Sequence, residues 1–252
     1  MFDVTLCLHV SLALEDVFDK LVVLRRGGYC LEANGLCAAA ISALGFSPVS
    51  LRHARVWLRA AVYTPREPPM ARQQMVLVVP VDGTDYLVDV GFGGGSPAEP
   101  LALAPGSGVT PVNGELYRVA AGDAAAGEDS WLLWGVVGGE WRRFYSFEHV
   151  SADCPRAHAA DFLLCSHFVQ HARGTLFRTC RYATAPRRGG GRITLMGHEL
   201  REKGAEAEGA PAEVRVTALR DAAQYAAAAR QHFGLQLTDD EAAALFAADA
   251  DE

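Results

Sequence analysis

The cysteine at position 30 stands where a thiol could act as a nucleophile. The segment Arg26–Asn34 reads RGGYCLEAN, so Cys30 follows a glycine pair at or near the start of a helical pattern. Unpaired N–H groups and the helix dipole at such a position favour thiolate over thiol. Gly27 and Gly28 let the backbone turn sharply and approach a ligand. A glycine cap followed by a small buried cysteine fits the same residues, and the segment alone leaves both interpretations open.

A second segment, Tyr86–Gly95, carries an aspartate in an apolar strand. Asp89 stands between Val88 and Val90 and is followed by the run GFGGG. Burying a carboxylate among valines is costly unless a histidine, an arginine or backbone donors hold its charge. The glycines indicate a phosphate-binding loop only weakly, because prolines rather than a clear helix follow them. Asp89 is therefore expected to have a polar partner.

Together the two segments closely resemble the arylamine N-acetyltransferase family. The resemblance is carried by RRGGYCLEAN at 25–34 and YLVDVGFGG at 86–94, and it extends to residues 97–101, 141–147, 192–195 and 233–237. In that family the first motif holds the catalytic cysteine and the second holds the aspartate of a Cys-His-Asp triad. The resemblance implies that Cys30 accepts an acetyl group and that Asp89 orients the base.

The reaction implied by the resemblance is a ping-pong transfer. Acetyl-CoA acetylates the Cys30 thiolate, coenzyme A leaves, and an arylamine, hydrazine or similar amine takes the acetyl group. Such covalent catalysis divides one difficult step into two easier ones. The expected partners are thus an acyl-CoA and a small amine, with no metal. The cofactor-binding residues are predicted to be Gly91, Phe92, Gly93 and Gly94.

The chain departs from the family at the triad histidine. That histidine normally stands directly before the apolar strand that pairs with the aspartate strand, which here reads QMVLV and begins at Gln74. A primary amide does not titrate, so it can hydrogen-bond and position but cannot take the thiol proton. The rate acceleration of about 10²–10⁴-fold that a general base contributes would then be lost. Neither His53 nor His171 is placed by sequence to act as a substitute.

A second departure lies at the start of the chain. Family members usually carry several dozen helical residues before the segment that begins here at Phe2, so we expect a shortened first helical domain. A truncated gene model, a remodelled protein and a decayed paralogue all fit that pattern.

Periodicity and resemblance together predict an α+β fold with a cysteine-proteinase-like core. Helical patterns cover 11–25 and about 30–44, short β-rich runs lie between 49 and 147, and a helix near 157–167, strand pieces and two closing helices follow. The predicted regions are a helical domain over 1–46 with Cys30, a β-barrel-like domain over 47–155 with Gln74 and Asp89, and an α/β lid over 156–252. The run PRRGGGR at 186–192 is interpreted as a hairpin turn in preference to an anion site.

Composition narrows the functional class. The 252 residues carry a formal net charge of −7, which argues against a nucleic-acid platform. The six cysteines show no CxxC pair, and reduced thiols are expected. Asp3 stands where a signal peptide would carry positive charge, so a cytoplasmic location without membrane attachment is the expectation.

Three functional hypotheses remain open. The first is acetyl transfer through Cys30, weakened by Gln74. The second is a non-catalytic relative that binds an acyl-CoA or an aromatic amine without turnover. The third is an amide synthase, in which the cysteine receives a polyketide chain and an internal aromatic amine releases it as a lactam.

Overall fold

Helices lie at both ends of the chain and beside its central strands. In the computed structural model, the described residues are 2–46, 50–56, 72–104, 106, 108–123, 130–148, 158–172, 175, 178 and 180–247. The helices are α1 (Phe2–Thr5), α2 (Leu14–Phe18), a π-helical segment (Asp19–Val23), α3 (Cys30–Ala43), α4 (Ala159–His171), α5 (Ala222–Phe233) and α6 (Asp239–Ala247). No helix in the described ranges is both long and apolar enough to cross a membrane.

The larger sheet contains eight antiparallel strands in the order β4-β3-β2-β1-β8-β7-β6-β5. Their bounds are β1 (Ser50–Val56), β2 (Arg72–Val81), β3 (Thr84–Val88), β4 (Leu101–Ala102), β5 (Thr110–Val112), β6 (Glu115–Ala121), β7 (Ser130–Val137) and β8 (Glu140–Glu148). Across the described strands the sheet stays open between β4 and β5. The mixed α+β class is as predicted, in the form of a long open sheet.

The hairpin that joins β2 to β3 aligns the two strands that carry the candidate site. Val81 pairs with Thr84, and the intervening Asp82 and Gly83 have φ values of 48° and 80°. Positive φ at both central residues suits the tight primed turn that matches strand twist. Asp82 and Gly83 therefore form the kind of hairpin turn that an Asp-Gly pair between two apolar runs favours.

Strand β2 is covered on both faces. Val76 and Val78 lie in the main core of the large sheet, whereas Met75 lies in a second cluster with side chains of α3 and α4. A strand buried on both faces has a continuous apolar run in place of alternation. This explains the sequence MVLVV, which directly follows Gln74.

The smaller sheet has the order β12-β11-β10-β9 and packs with α5 and α6. Its strands are β9 (Tyr182–Pro186), β10 (Arg192–Met196), β11 (Glu199–Lys203) and β12 (Val214–Ala218). Arg192 joins this sheet to the larger one through a buried ion pair with Glu115 at 2.8 Å, and its guanidinium also donates to the carbonyls of Gly93 and Ser96. The glycine-rich loop is thereby fixed between the two sheets.

Local signals are confirmed at several other places. The helix that begins at Cys30 ends just before Gly45, Gly234 caps α5 with a φ of 68°, and Thr238 with Glu241 forms a capping box at the start of α6. The run at 186–192 contains the turn of the β9–β10 hairpin. The predicted helix over 11–25 differs from the structure: it is divided into α2 and the π-helical segment, and Val17 is the buried residue of the two.

The predicted domain boundaries at 46/47 and 155/156 border or fall within stretches outside the described residues. The division into three regions therefore stays a prediction.

Candidate active site

Cys30 is the first residue of α3, as the sequence pattern predicts. Tyr29 precedes it in an extended conformation, and the Glu32 carboxylate accepts a hydrogen bond from the Tyr29 N–H at 3.2 Å. Glu32 is itself fully buried and pairs with Lys20 at 2.6 Å. A buried carboxylate that caps the helix and carries its own cation fixes the start of α3, and with it the thiol.

Asp89 lies just beyond β3 and is 2% exposed. Its Oδ1 accepts hydrogen bonds from the N–H groups of Gly91 at 2.9 Å and Phe92 at 3.1 Å. Burial raises the pKa of Asp89, and donors that include Asn34 and these two N–H groups offset part of the rise. The Tyr145 hydroxyl also lowers this pKa, although it completes no hydrogen bond of good geometry within the described residues. Asp89 thus has the polar partners that its position among valines predicts.

Asn34 connects α3 to this carboxylate. It lies one turn beyond Cys30, and its amide donates to Asp89 Oδ1 at 2.9 Å and to the Met75 carbonyl at 2.7 Å. Its Oδ1 accepts the Val90 N–H at 2.9 Å. Sequence reasoning missed this residue, although positions i and i+4 share one helix face and could have indicated it.

Gln74 lies beside Asp89, as the resemblance to the family motifs predicts. Its Nε2 donates to both carboxylate oxygens of Asp89 at 3.2 Å and to the Met75 carbonyl at 3.1 Å. The side chain is 5% exposed, so this amide is a fixed neutral donor at the carboxylate. Gln74 therefore positions the Asp89 carboxylate but supplies no titratable base.

The glycine at position 91 lets the Asp89 loop approach the candidate nucleophile. A Cβ placed on Gly91 would lie 2.5 Å from the Cys30 Cα and 3.0 Å from the Asn34 amide nitrogen. The first contact would require the backbone to shift, and the second would require the Asn34 side chain to give by a few tenths of an ångström. The absence of a side chain at Gly91 therefore brings Asp89, Asn34 and Cys30 into one buried site.

The other predicted cofactor residues continue this loop. Phe92 packs against the Tyr145 ring with centroids 5.0 Å apart. Gly93 has a φ of 85°, and a Cβ on Gly94 would lie 2.7 Å from the Tyr182 hydroxyl oxygen. These contacts account for the glycines through close packing, and the cofactor role of Gly91 to Gly94 stays a prediction.

The thiol itself is in an environment that opposes ionisation. Burial raises the pKa of Cys30, and the charges of Cys165 and Asp89 raise it further, while main-chain groups of Met75 and Leu31 offset part of the rise. From the sequence, the position of Cys30 at a helix N-terminus predicts that the thiolate is favoured. Desolvation exceeds that effect because Cys30 is only 4% exposed.

Among the described side chains, no histidine is hydrogen-bonded to Asp89. His53 pairs along the backbone with Met75, but its side chain lies outside what the structure describes. His171 is exposed on α4, where it stacks on His167 with ring centroids 4.3 Å apart. The hydrogen bonds that Asp89 accepts come from Asn34, Gln74 and its own loop.

Comparison with known proteins identifies relatives over nearly the whole chain. A family model described as N-acetyltransferase matches residues 2–242. An arylamine N-acetyltransferase from Mycolicibacterium smegmatis is 41% identical over 139 residues, which cover 54% of this chain and 47% of that protein. One from Escherichia coli is 29% identical over 94% of this chain and 76% of that protein. The chain spans about half the length of the mycobacterial relatives it matches in sequence.

Solved structures extend the similarity to the fold. The arylamine N-acetyltransferase of Mycobacterium marinum matches with a TM-score of 0.81 at 30% identity, over 97% of this chain and 85% of that one. The same protein has also been solved in complex with CoA, and that structure matches equally well. The enzyme from Salmonella typhimurium matches with a TM-score of 0.82 at 25% identity, over 98% of this chain and 84% of that one.

Proposed function

The chain belongs to the arylamine N-acetyltransferase family, and on that premise we propose that it transfers an acetyl group from acetyl-CoA through a Cys30 thioester to an arylamine or hydrazine. The observation that carries the proposal is the contact of the Gly91 backbone with Cys30, which brings the Asp89 carboxylate beside a buried thiol at a helix N-terminus. The M. marinum relative in complex with CoA supports an acyl-CoA as donor.

In the first half-reaction the Cys30 sulfur attacks the thioester carbonyl and coenzyme A leaves as its thiol. In the second, the amine attacks the acetyl-cysteine and regenerates the Cys30 thiol. Gln74 holds the Asp89 carboxylate but cannot carry a proton. Because burial raises the pKa of Asp89, this carboxylate is a better proton acceptor than an exposed aspartate. Because Gln74 takes up no proton, we expect removal of the thiol proton to limit the rate of acetylation.

A second candidate function is supported by the electrostatics of Cys30. A thiol whose pKa is raised by burial, and which faces an aspartate in place of an imidazolium, is a poor nucleophile at neutral pH. The corresponding function is binding of an acyl-CoA or an aromatic amine without turnover.

Mass spectrometry separates the two functions. The protein is incubated with acetyl-CoA, and the intact mass and the Cys30 peptide are measured for the wild type, for Cys30→Ser and for Cys37→Ser. Cys37 lies on the same helix and is half-buried, so its variant controls for thiol loss on α3. Acetyl addition at Cys30 that disappears only in Cys30→Ser supports transfer. A folded wild type that binds CoA and stays unmodified supports the binding function and refutes the transfer.

A further inference from the structure

A second buried cysteine, Cys165, lies in the cluster that contains Cys30, and the proposed acetyl transfer does not use it. Cys165 is on α4 and is 9% exposed. It shares a buried apolar cluster with Cys30, Tyr29, Met75 and other residues of α1, α3 and α4. Two thiols in one apolar cluster are the components of a disulfide.

The backbone on either side of the two cysteines is held together by polar contacts. The Tyr29 hydroxyl and the Ser166 hydroxyl are 2.6 Å apart, and these residues are the immediate neighbours of Cys30 and Cys165. One turn further along α4, Gln170 exchanges two hydrogen bonds with the main chain of Val10. The start of α3 and the middle of α4 are thus fixed beside each other. In a disulfide the Cα atoms lie about 4.4–6.8 Å apart, so the cross-link requires Cys30 and Cys165 to reach that separation at this contact.

Electrostatic coupling is consistent with this proximity. The charge of Cys165 raises the pKa of Cys30 more than the charge of Asp89 does. Burial raises the pKa of Cys165 itself to about 11. Cys165 is also the more exposed thiol of the two, so an oxidant from solvent meets it first.

The other described cysteines are less suited to pair with Cys30. Cys37 lies seven residues along α3, and a rise of 1.5 Å per residue separates it from Cys30 by roughly 10 Å, which exceeds the span of a disulfide. Cys7 is exposed, and neither Cys7 nor Cys180 belongs to the cluster around Cys30.

From these observations we infer that Cys30 and Cys165 form a reversible disulfide under peroxide, which blocks the acetyl-accepting sulfur. In the first step the thiolate of Cys165 attacks hydrogen peroxide, gives a sulfenic acid and releases hydroxide, which takes up a proton as water. In the second step Cys30 displaces a second water from the sulfenic acid and forms the S–S bond. The peroxide is reduced to water and the pair of thiols is oxidised. A dithiol such as dithiothreitol returns both to thiols.

Peptide mapping tests the disulfide without reference to acetyl transfer. The full chain is reduced, desalted and treated with hydrogen peroxide, the remaining thiols are alkylated with iodoacetamide, and the digest is analysed before and after dithiothreitol. The expected product is a cross-linked pair of peptides that contain Cys30 and Cys165, with simultaneous loss of alkylation at both. Dithiothreitol should separate the pair and restore both alkylated peptides.

Two variants sharpen the result. Cys37→Ser should form the same cross-link as the wild type. Cys165→Ala should form none, and its Cys30 should stay available to iodoacetamide because the thiol that reacts first with peroxide is absent. Oxidised Cys30 in the wild type with Cys165 still fully alkylated, or a cross-link from Cys30 to another cysteine, would overturn the inference even if Cys165→Ala does not fold. A chain that forms the cross-link but never acetylates Cys30 refutes only the proposed function.

Discussion

Replacement of Gln74 by histidine is the most direct perturbation of the proposed mechanism. The amide nitrogen of Gln74 lies 3.2 Å from both oxygens of Asp89, so an imidazole in its place would meet the same carboxylate. An imidazolium and a carboxylate about 4 Å apart attract by roughly 4 kcal/mol at an effective dielectric constant of 20. Divided by about 1.4 kcal/mol per pKa unit, this attraction would raise the imidazole pKa by roughly three units before desolvation is subtracted.

The substitution also changes the charge that Cys30 faces. In the wild type, the thiolate would form next to a carboxylate held by neutral donors. In Gln74→His it would form next to an imidazolium that has taken its proton. General-base participation of this kind contributes about 10²–10⁴-fold, and we expect acetylation of Cys30 to accelerate within that range.

The assay is a single-turnover measurement with excess protein. Release of coenzyme A is followed with a thiol reagent, and acetylation of the Cys30 peptide is followed by quenched mass spectrometry. Gln74→Asn is the matched control because it keeps a neutral amide. Gln74→His combined with Asp89→Asn tests whether the gain depends on the carboxylate. A Gln74→His variant that folds and binds CoA but acetylates no faster than the wild type would refute the assignment of Gln74 to the base position.

Three further predictions concern the packing of the site. Gly91→Ala places a methyl group 2.5 Å from the Cys30 Cα, so overpacking should lower the free energy of unfolding by about 1–3 kcal/mol in urea denaturation and reduce Cys30 acetylation in mass spectrometry. A stable variant with unchanged reactivity would contradict the contact. Asn34→Ala removes two donated hydrogen bonds and one accepted hydrogen bond, so the free energy of unfolding in urea should fall by about 1–3 kcal/mol for each buried partner left unsatisfied. A fall below the error of the assay would argue against this bridge between α3 and Asp89. The folded-state pKa of Asp89 lies above its unfolded value of about 3.9, so the stability that its protonated form contributes is present below that value and is lost as pH rises through the folded pKa. Asp89→Asn should therefore show a smaller decline in the free energy of unfolding than the wild type as the pH rises above about 4, and parallel curves would refute the raised pKa.

Local sequence signals predict the parts of the fold that local physics determines. The Asp82-Gly83 turn, the start of α3 at Cys30 and the capping box at Thr238 depend on backbone conformations that a few neighbouring residues fix. The resemblance of motifs adds the pairing of Gln74 with Asp89, since it identifies which strands lie side by side.

Residues that act across elements were not predictable in the same way. Asn34 bonds to β2 and to the Asp89 loop, and Cys165 reaches the site from a helix more than a hundred residues further along the chain. Neither has a distinctive local pattern, because its role depends on which elements pack together. The prediction that Cys30 favours the thiolate was wrong for a related reason. A helix terminus stabilises an exposed charge by about 0.3–1 kcal/mol, whereas full burial shifts a pKa by up to several units.

Gln74 places a neutral amide beside Asp89 where the family has a histidine, and this determines which group can accept the Cys30 proton. Asp89 is a buried carboxylate whose partners in the described residues are neutral: two side-chain amides and backbone N–H groups. Ionised Asp89 raises the pKa of Cys30, so one negative charge at this site opposes a second. The favourable route to a Cys30 thiolate is therefore one in which Asp89 becomes protonated as Cys30 loses its proton, and the two groups titrate as a coupled pair. A histidine at position 74 removes that restriction because it takes up the thiol proton while Asp89 stays ionised, and for this reason Gln74→His should accelerate acetylation of Cys30.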